Sequence, residues 1–130
     1  MARTRRNLPP ELARGAVTLI LTGDDGIRCI NAGVFGRDSV TDVITCSYDP
    51  VPGVEPDAEA ELVVNVQRAV ARARPGWPAS RELALYIAHG CDHLTGADDA
   101  TPDAAARMRR RELRWLREAD ARGLLEDLIV

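Results

Sequence analysis

The chain has 130 residues, 45% of them hydrophobic and 28% charged, which suits one domain with its own core and excludes a disordered polymer. Only 4% are aromatic, so the core must come from Ala, Val, Leu and Ile, and no stretch approaches the ~18 apolar residues of a membrane span. The formal net charge of -3 argues against a DNA-coating protein, but all 17 basic residues are Arg and seven of them fall in 102–122, whereas 42–61 holds six acids and no base.

Residues 1–10, with MARTRRN before Leu-Pro-Pro, read as a flexible basic arm. The prolines stand where a secretory signal needs an apolar run, so a cytoplasmic protein is expected. Val17 to Leu21 is an aliphatic, β-branched run closed by Thr22-Gly23 and predicts a strand. Asp24 or Asp25 is placed to cap a short helix with Ile27, Ile30 and Val34 as its apolar stripe. Val40 to Tyr48, rich in Val, Ile, Thr and Tyr, predicts a second strand. Residues 49–58, with three prolines and a glycine, predict an exposed loop, and Glu61 to Val66 a third strand.

Gln67 to Arg74 predicts a helix stopped by Pro75-Gly76. Ser80 is placed to cap a helix from Arg81 to about Leu94, with Leu83, Ile87, Cys91 and Leu94 facing the core. Gly96 follows as a left-handed stop. Thr101-Pro102 opens a last helix that runs to about Ala121, with Met108, Trp115, Leu116 and Ala119 inward. Strands come early and helices late, which predicts an α+β fold in one domain over 1–130: a small mixed sheet with helices packed mainly on one side. Cys29, Cys46 and Cys91 cannot all pair, and an odd, sparse set suits a reducing compartment.

The two histidines of the chain stand four apart in His89-Gly90-Cys91-Asp92-His93. At ~3.6 residues per turn their rings lie on one side of a helix, one above the other, where both reach one cation. A catalytic zinc site needs a third protein ligand and an open fourth position. Gly96 lets the chain turn back, and Asp99 lies three residues on, in the H-x3-H-x2-G-x2 spacing of metzincin metal sites. The expected ligands are therefore His89, His93 and Asp99, with one Zn2+ per chain. Gly90 occupies the place where metzincin peptidases carry their general-base Glu, so a metallopeptidase is the weakest of the functional readings. Asp92 reads as a solvated or supporting carboxylate rather than a ligand.

HGCDHLTGADD resembles the HGxLHLxGxDH signature of the YbeY family, bacterial zinc-dependent endoribonucleases that act as ribosomal RNA maturation factors. Other segments are similar in order and spacing: Arg81-Glu82-Leu83-Ala84 before the metal helix, Thr41-Asp42-Val43-Ile44-Thr45 to the TDVLSF strand, and Glu61-Leu62-Val63-Val64-Asn65 to the GDIVIS strand. Ile27-x-x-Ile30-Asn31 resembles IxxLN, and Met108-x3-Glu112 the MxxxE of the last helix. The resemblance implies zinc on His89 and His93, with Asp99 where the family has its third histidine. It implies a single-stranded RNA substrate, ribosomal small-subunit partners, and neither DNA nor membrane. Val40 stands where the family has proline. Phe35 stands where the family has an arginine, six residues before Thr41; Arg37, two positions on, is the substitute candidate for catalysis.

In either route of RNA cleavage, by activated water or by the 2′-hydroxyl, charge grows on phosphate and calls for cations. Arg37 and some arginines of the last helix are expected to supply them. The strand from Thr41 to Tyr48 is expected to bound the cleft, with Thr41 and Tyr48 toward substrate; packing on the sheet is the competing role for Tyr48. Gly96, Asp98 and Glu112 are expected to support the metal loop. Glu112 interrupts an apolar helix stripe, so it needs a partner, either loop N–H groups or the second nitrogen of a ligand. Two functions remain open: a zinc endoribonuclease, its activity weakened by Phe35, and a non-catalytic ribosome-assembly factor in which zinc pins the fold.

Overall fold

The computed structural model describes residues 2–3, 17–47, 60–126 and 128. The elements in chain order are β1 (Ala2–Arg3), β2 (Val17–Thr22), α1 (Asp24–Phe35), β3 (Val43–Ser47), β4 (Ala60–Asn65), α2 (Val66–Ala71), α3 (Ala79–Leu94) and α4 (Pro102–Ala121). Within the segment read as an arm, Ala2 and Arg3 pair antiparallel with β2. Tyr48, the loop 49–58 and residues 4–16 lie outside the described residues.

The sheet has the order β1-β2-β4-β3, with β2 parallel and β3 antiparallel to β4. Its register sorts the side chains into two faces. Leu19, Leu62 and Thr45 align across the sheet, as do Leu21, Val64 and Val43, while Ile20, Val63 and Ile44 align one residue out of step. With a side-chain period of two, the second set points the opposite way. There it meets Ile27 of α1, which is fully buried. The first face receives α2 and α3: Leu19, Leu62 and Val64 pack with Ala69, Leu83, Tyr86 and Cys91. α4 lies behind α3, joined through Ala84, Leu85, Leu116 and Ala119. The fold is α+β; among the described residues α1 alone covers one face, and α2 and α3, the latter carrying both histidines, cover the other.

Several local expectations shift. Val34 is 62% exposed, because every residue of the last turn of α1 lies open; Asn31 is buried instead and donates from Nδ2 to the Ser39 carbonyl. Gly23, not an aspartate, precedes α1, and Asp24 inside its first turn accepts from Asn65 Nδ2 at 2.6 Å. Pro78 occupies the N-cap of α3 in extended conformation, which places Ser80 within the first turn. α2 stops at Ala71, and Arg74 and Trp77 then form an isolated bridge. Trp115 is half-buried, with the Arg111 guanidinium 6.0 Å from its ring centre. Thr101 caps α4 as its sequence predicts, accepting from the Ala104 N–H at 3.1 Å. Cys29, Cys46 and Cys91 are all free thiols.

Candidate metal centre

Helical spacing places His89 and His93 on one side of α3, and their Nε2 atoms stand 3.1 Å apart. The chain then leaves the helix through Gly96, at φ +94, a left-handed value that glycine adopts without steric cost. The Ala97 N–H donates back to the Asp92 carbonyl at 3.2 Å, and Asp98 Oδ1 accepts from the Ala100 N–H at 2.9 Å. This closed turn delivers Asp99 to the histidines, with Oδ2 3.8 Å from His89 Nε2 and 3.7 Å from His93 Nε2.

A triangle with those three sides has a circumscribed radius of about 2.1 Å, so one point lies at bonding distance from all three atoms. The hydrogen bonds on the far side of each ring make that point a site for a cation. His89 Nδ1 lies 3.0 and 3.1 Å from the two Glu112 carboxylate oxygens, and His93 Nδ1 lies 3.1 Å from the Ala97 carbonyl. Carboxylate and carbonyl oxygens only accept, so both Nδ1 atoms carry a proton and the Nε2 atom of each ring faces the same place. Two lone pairs and a carboxylate oxygen facing one another need a proton or a metal ion between them. His89, His93 and Asp99 can thus hold one metal ion.

The sequence left Glu112 with two roles, and the geometry selects the ring nitrogen of His89. Its side chain is 2% exposed. The Glu112 hydrogen bond is the main cause that raises the His89 pKa above its ordinary 6.5; burial opposes it, and the charges of Glu112, Asp99 and Asp42 add to the rise. Cys91 points into the core. Burial first, then the Asp92 charge, push its thiol up to about 12, so it stays protonated and takes no part in metal binding.

Gly90 has a structural reason. A Cβ there would lie 2.8 Å from Leu62 Cδ2, 3.1 Å from Val43 Cγ2 and 3.4 Å from Thr45 Cγ2. The metal helix approaches the sheet so closely that any larger residue would push against the Leu62 and Val43 side chains, and a side chain at 90 would point into β3 and β4, away from the metal ligands. No peptidase base can stand there.

Asp92 is neither solvated nor a ligand. It is fully buried, and its Oδ1 accepts from Arg111 Nε at 2.9 Å and Nη2 at 2.6 Å; Oδ2 is buried without a partner among the described residues. Adjacent residues of α4, Arg111 and Glu112, therefore tie down α3 at Asp92 and His89, one turn apart. Sequence reading missed the Arg111 tie. The one available signal was that Asp92 sits among core positions of α3 and so needed a cation.

His89, Asp99 and Glu112 border a hollow of about 230 Å³ together with Asp42, Arg72 and Arg109. Arg37 does not line it. Arg37 lies with Phe35 and Thr41 along a separate groove beside β3, and Phe35 is 48% exposed rather than packed under the sheet. Arg72, absent from the sequence-based candidates, donates from Nη1 to the Tyr86 hydroxyl at 3.5 Å. Burial chiefly, with the Glu82 charge, pushes the Tyr86 phenol up to about 12, so it remains protonated.

The family model described as Endoribonuclease YbeY matches residues 2–120. A protein of Rhodopirellula baltica named Endoribonuclease YbeY is 39% identical over 103 residues, 77% of this chain and 52% of its own length. One of the same name from Anaeromyxobacter is 36% identical over 114 residues, 87% of this chain and 57% of its own. A third, from Chlorobium phaeovibrioides, is 34% identical over 128 residues, covering 88% of this chain and 84% of its own. The chain spans about half the length of the first two curated relatives. No helix among the described residues is long and apolar enough to cross a membrane.

Proposed function

The chain belongs to the Endoribonuclease YbeY family, and from that premise we propose that it is a zinc-dependent endoribonuclease. Its substrate is single-stranded RNA, its setting ribosomal RNA maturation and ribosome assembly in the cytoplasm. The observation that carries the reading is the convergence of His89 Nε2, His93 Nε2 and Asp99 Oδ2 on one point about 2.1 Å away. Two imidazoles and one carboxylate suit zinc better than magnesium, which prefers an all-oxygen shell.

When bound, zinc supplies Lewis acidity toward water and phosphate oxygen. The chain's own residues prepare that chemistry. Glu112 and the Ala97 carbonyl hold the Nδ1 protons and so keep both Nε2 atoms free as ligands. Asp99, 46% exposed, leaves its side of the site open to solvent and substrate. The hollow beside the ligands holds about 230 Å³, small for a duplex, which favours a single strand.

A second reading, a non-catalytic assembly factor that carries zinc, is favoured by one feature: Phe35 stands at the family's arginine position, and its neighbour Arg37 lies outside the hollow. One experiment separates the two. Purified chain is assayed for metal by elemental analysis and for cleavage of a generic single-stranded RNA, with and without chelator. The nuclease reading expects about one zinc per chain, chelator-sensitive cleavage, and loss of both in His93→Ala. Zinc without cleavage supports the assembly factor. Equal metal in wild type and His93→Ala overturns the site itself.

A further inference from the structure

Two arginines border the hollow without taking part in the metal centre. Arg109 lies on α4 three residues before Glu112, which touches His89. Three residues rise about 4.5 Å along a helix, a distance the arginine side chain spans. Arg72 follows α2 and donates to Tyr86, one turn before His89 on α3. Two arginines from different elements thus line one cavity with His89 and Asp99.

Neither arginine has a carboxylate partner within ion-pair distance among the described residues, although four carboxylates line the same hollow. Those four are engaged elsewhere. Glu112 accepts from His89 and Glu82 from Trp77 Nε1; Asp42 accepts from the Thr41 hydroxyl, and Asp99 faces the two Nε2 atoms. With a divalent ion on the histidines, two metal charges and two guanidinium charges offset the four carboxylates, so an entering phosphate is not repelled. It meets its positive charge as two guanidinium forks that no carboxylate pairs among the described residues, each able to hold phosphate oxygens bidentately.

We propose that Arg72 and Arg109 hold the RNA backbone phosphates in the hollow, a task that sequence reasoning assigns to Arg37 and arginines of the last helix. This deepens the nuclease reading and rests on it. Tyr86, whose hydroxyl accepts from Arg72 at 3.5 Å, lines the hollow beside it.

The test is fluorescence anisotropy of the zinc-loaded chain with a short 2′-O-methyl uridine oligomer, which keeps the phosphates and resists cleavage, titrated over a range of salt. Arg72→Gln and Arg109→Gln should each weaken binding about tenfold. Each should also flatten the slope of log affinity against log salt by about 0.7, the value for one lost phosphate contact on a single strand. Arg110→Gln makes the same charge change next to Arg109 but off the hollow, and should keep the wild-type slope. Both arginines are exposed, so melting temperatures should match wild type. Wild type that binds while Arg72→Gln and Arg109→Gln bind equally well, with unchanged slopes, overturns the phosphate assignment alone. Wild type that binds no oligomer overturns the nuclease reading and this assignment with it.

Discussion

The metal centre between α3 and α4 and the groove beside β3 hold the residues that sequence reasoning singled out, and they are built differently. In the metal centre nearly every polar group has a second partner. His89 is backed by Glu112, His93 by Ala97, and Asp92 by Arg111. In the groove, Phe35 ends the open last turn of α1 and Arg37 follows it, and Phe35 shows half its surface to solvent. Chemistry that needs a fixed lone-pair direction has to be held from behind, and only the first region has that support. The groove can contribute area and charge, but the Arg37 side chain has no hydrogen-bond or ion-pair partner among the described residues that would hold it in one geometry.

Removing the support should hurt most where it is most buried. Arg111→Met leaves the Asp92 carboxyl fully buried with no cation, and should cost about 2–3 kcal/mol of stability. That is below the usual figure for a buried pair, because the Arg111 side chain is 36% exposed. Urea unfolding checks it, and the double variant Asp92→Leu with Arg111→Met should recover most of the loss. A single variant as stable as wild type would show that the tie to α4 does not matter.

Glu112→Gln should lower zinc affinity about 10- to 100-fold, measured by chelator competition, because the His89 ring loses the carboxylate that fixes its tautomer. It also carries a pH signature in the metal-free chain. The folded His89 pKa lies above the ordinary 6.5, with the Glu112 hydrogen bond as the leading cause. A raised folded value means that the pair's stabilisation is fully present below about pH 6.5 and is lost as pH climbs through the folded value. Wild type should lose that increment of thermal stability across the window, and Glu112→Gln should not. Parallel curves for the two would remove Glu112 from its role.

Asp99→His should tighten zinc by about tenfold and reduce competition from manganese, since imidazole is the softer donor. The same chelator titration reads it. Weaker binding would mean that this loop, as built, reaches the metal only with a carboxylate. The smallest effect is expected in the groove. Phe35→Arg should leave stability within about 0.5 kcal/mol of wild type, as exposed positions do, and single-turnover RNA cleavage within about threefold. A rise on the order of 100-fold would bring the groove into the catalytic centre and end the contrast between the two regions.

Local features of the sequence were enough to read much of this protein. The His89–His93 spacing, the Gly96 turn and the Thr101-Pro102 helix start depend on residues within one or two turns of one another, and periodicity carries such information directly. Asp99 was legible because a glycine and a short loop leave few directions for the chain. Strand and helix order followed from composition, while element ends shifted by a few residues: Pro78 displaced Ser80 as the cap of α3, and Val34 fell on an open turn.

What tertiary structure alone decided were relations between elements far apart in the chain. Gly90 reads in the sequence as a missing base; its cause is the contact with Leu62 and Val43 across the sheet. Glu112 found its partner, Arg111 its buried acid, and Arg72 its place in the hollow only through the packing of α2 and α4 around α3. Helical periodicity assigns a residue to a face. Which atom it meets there depends on crossing angles and separations set by the whole core, and no run of neighbouring residues encodes them.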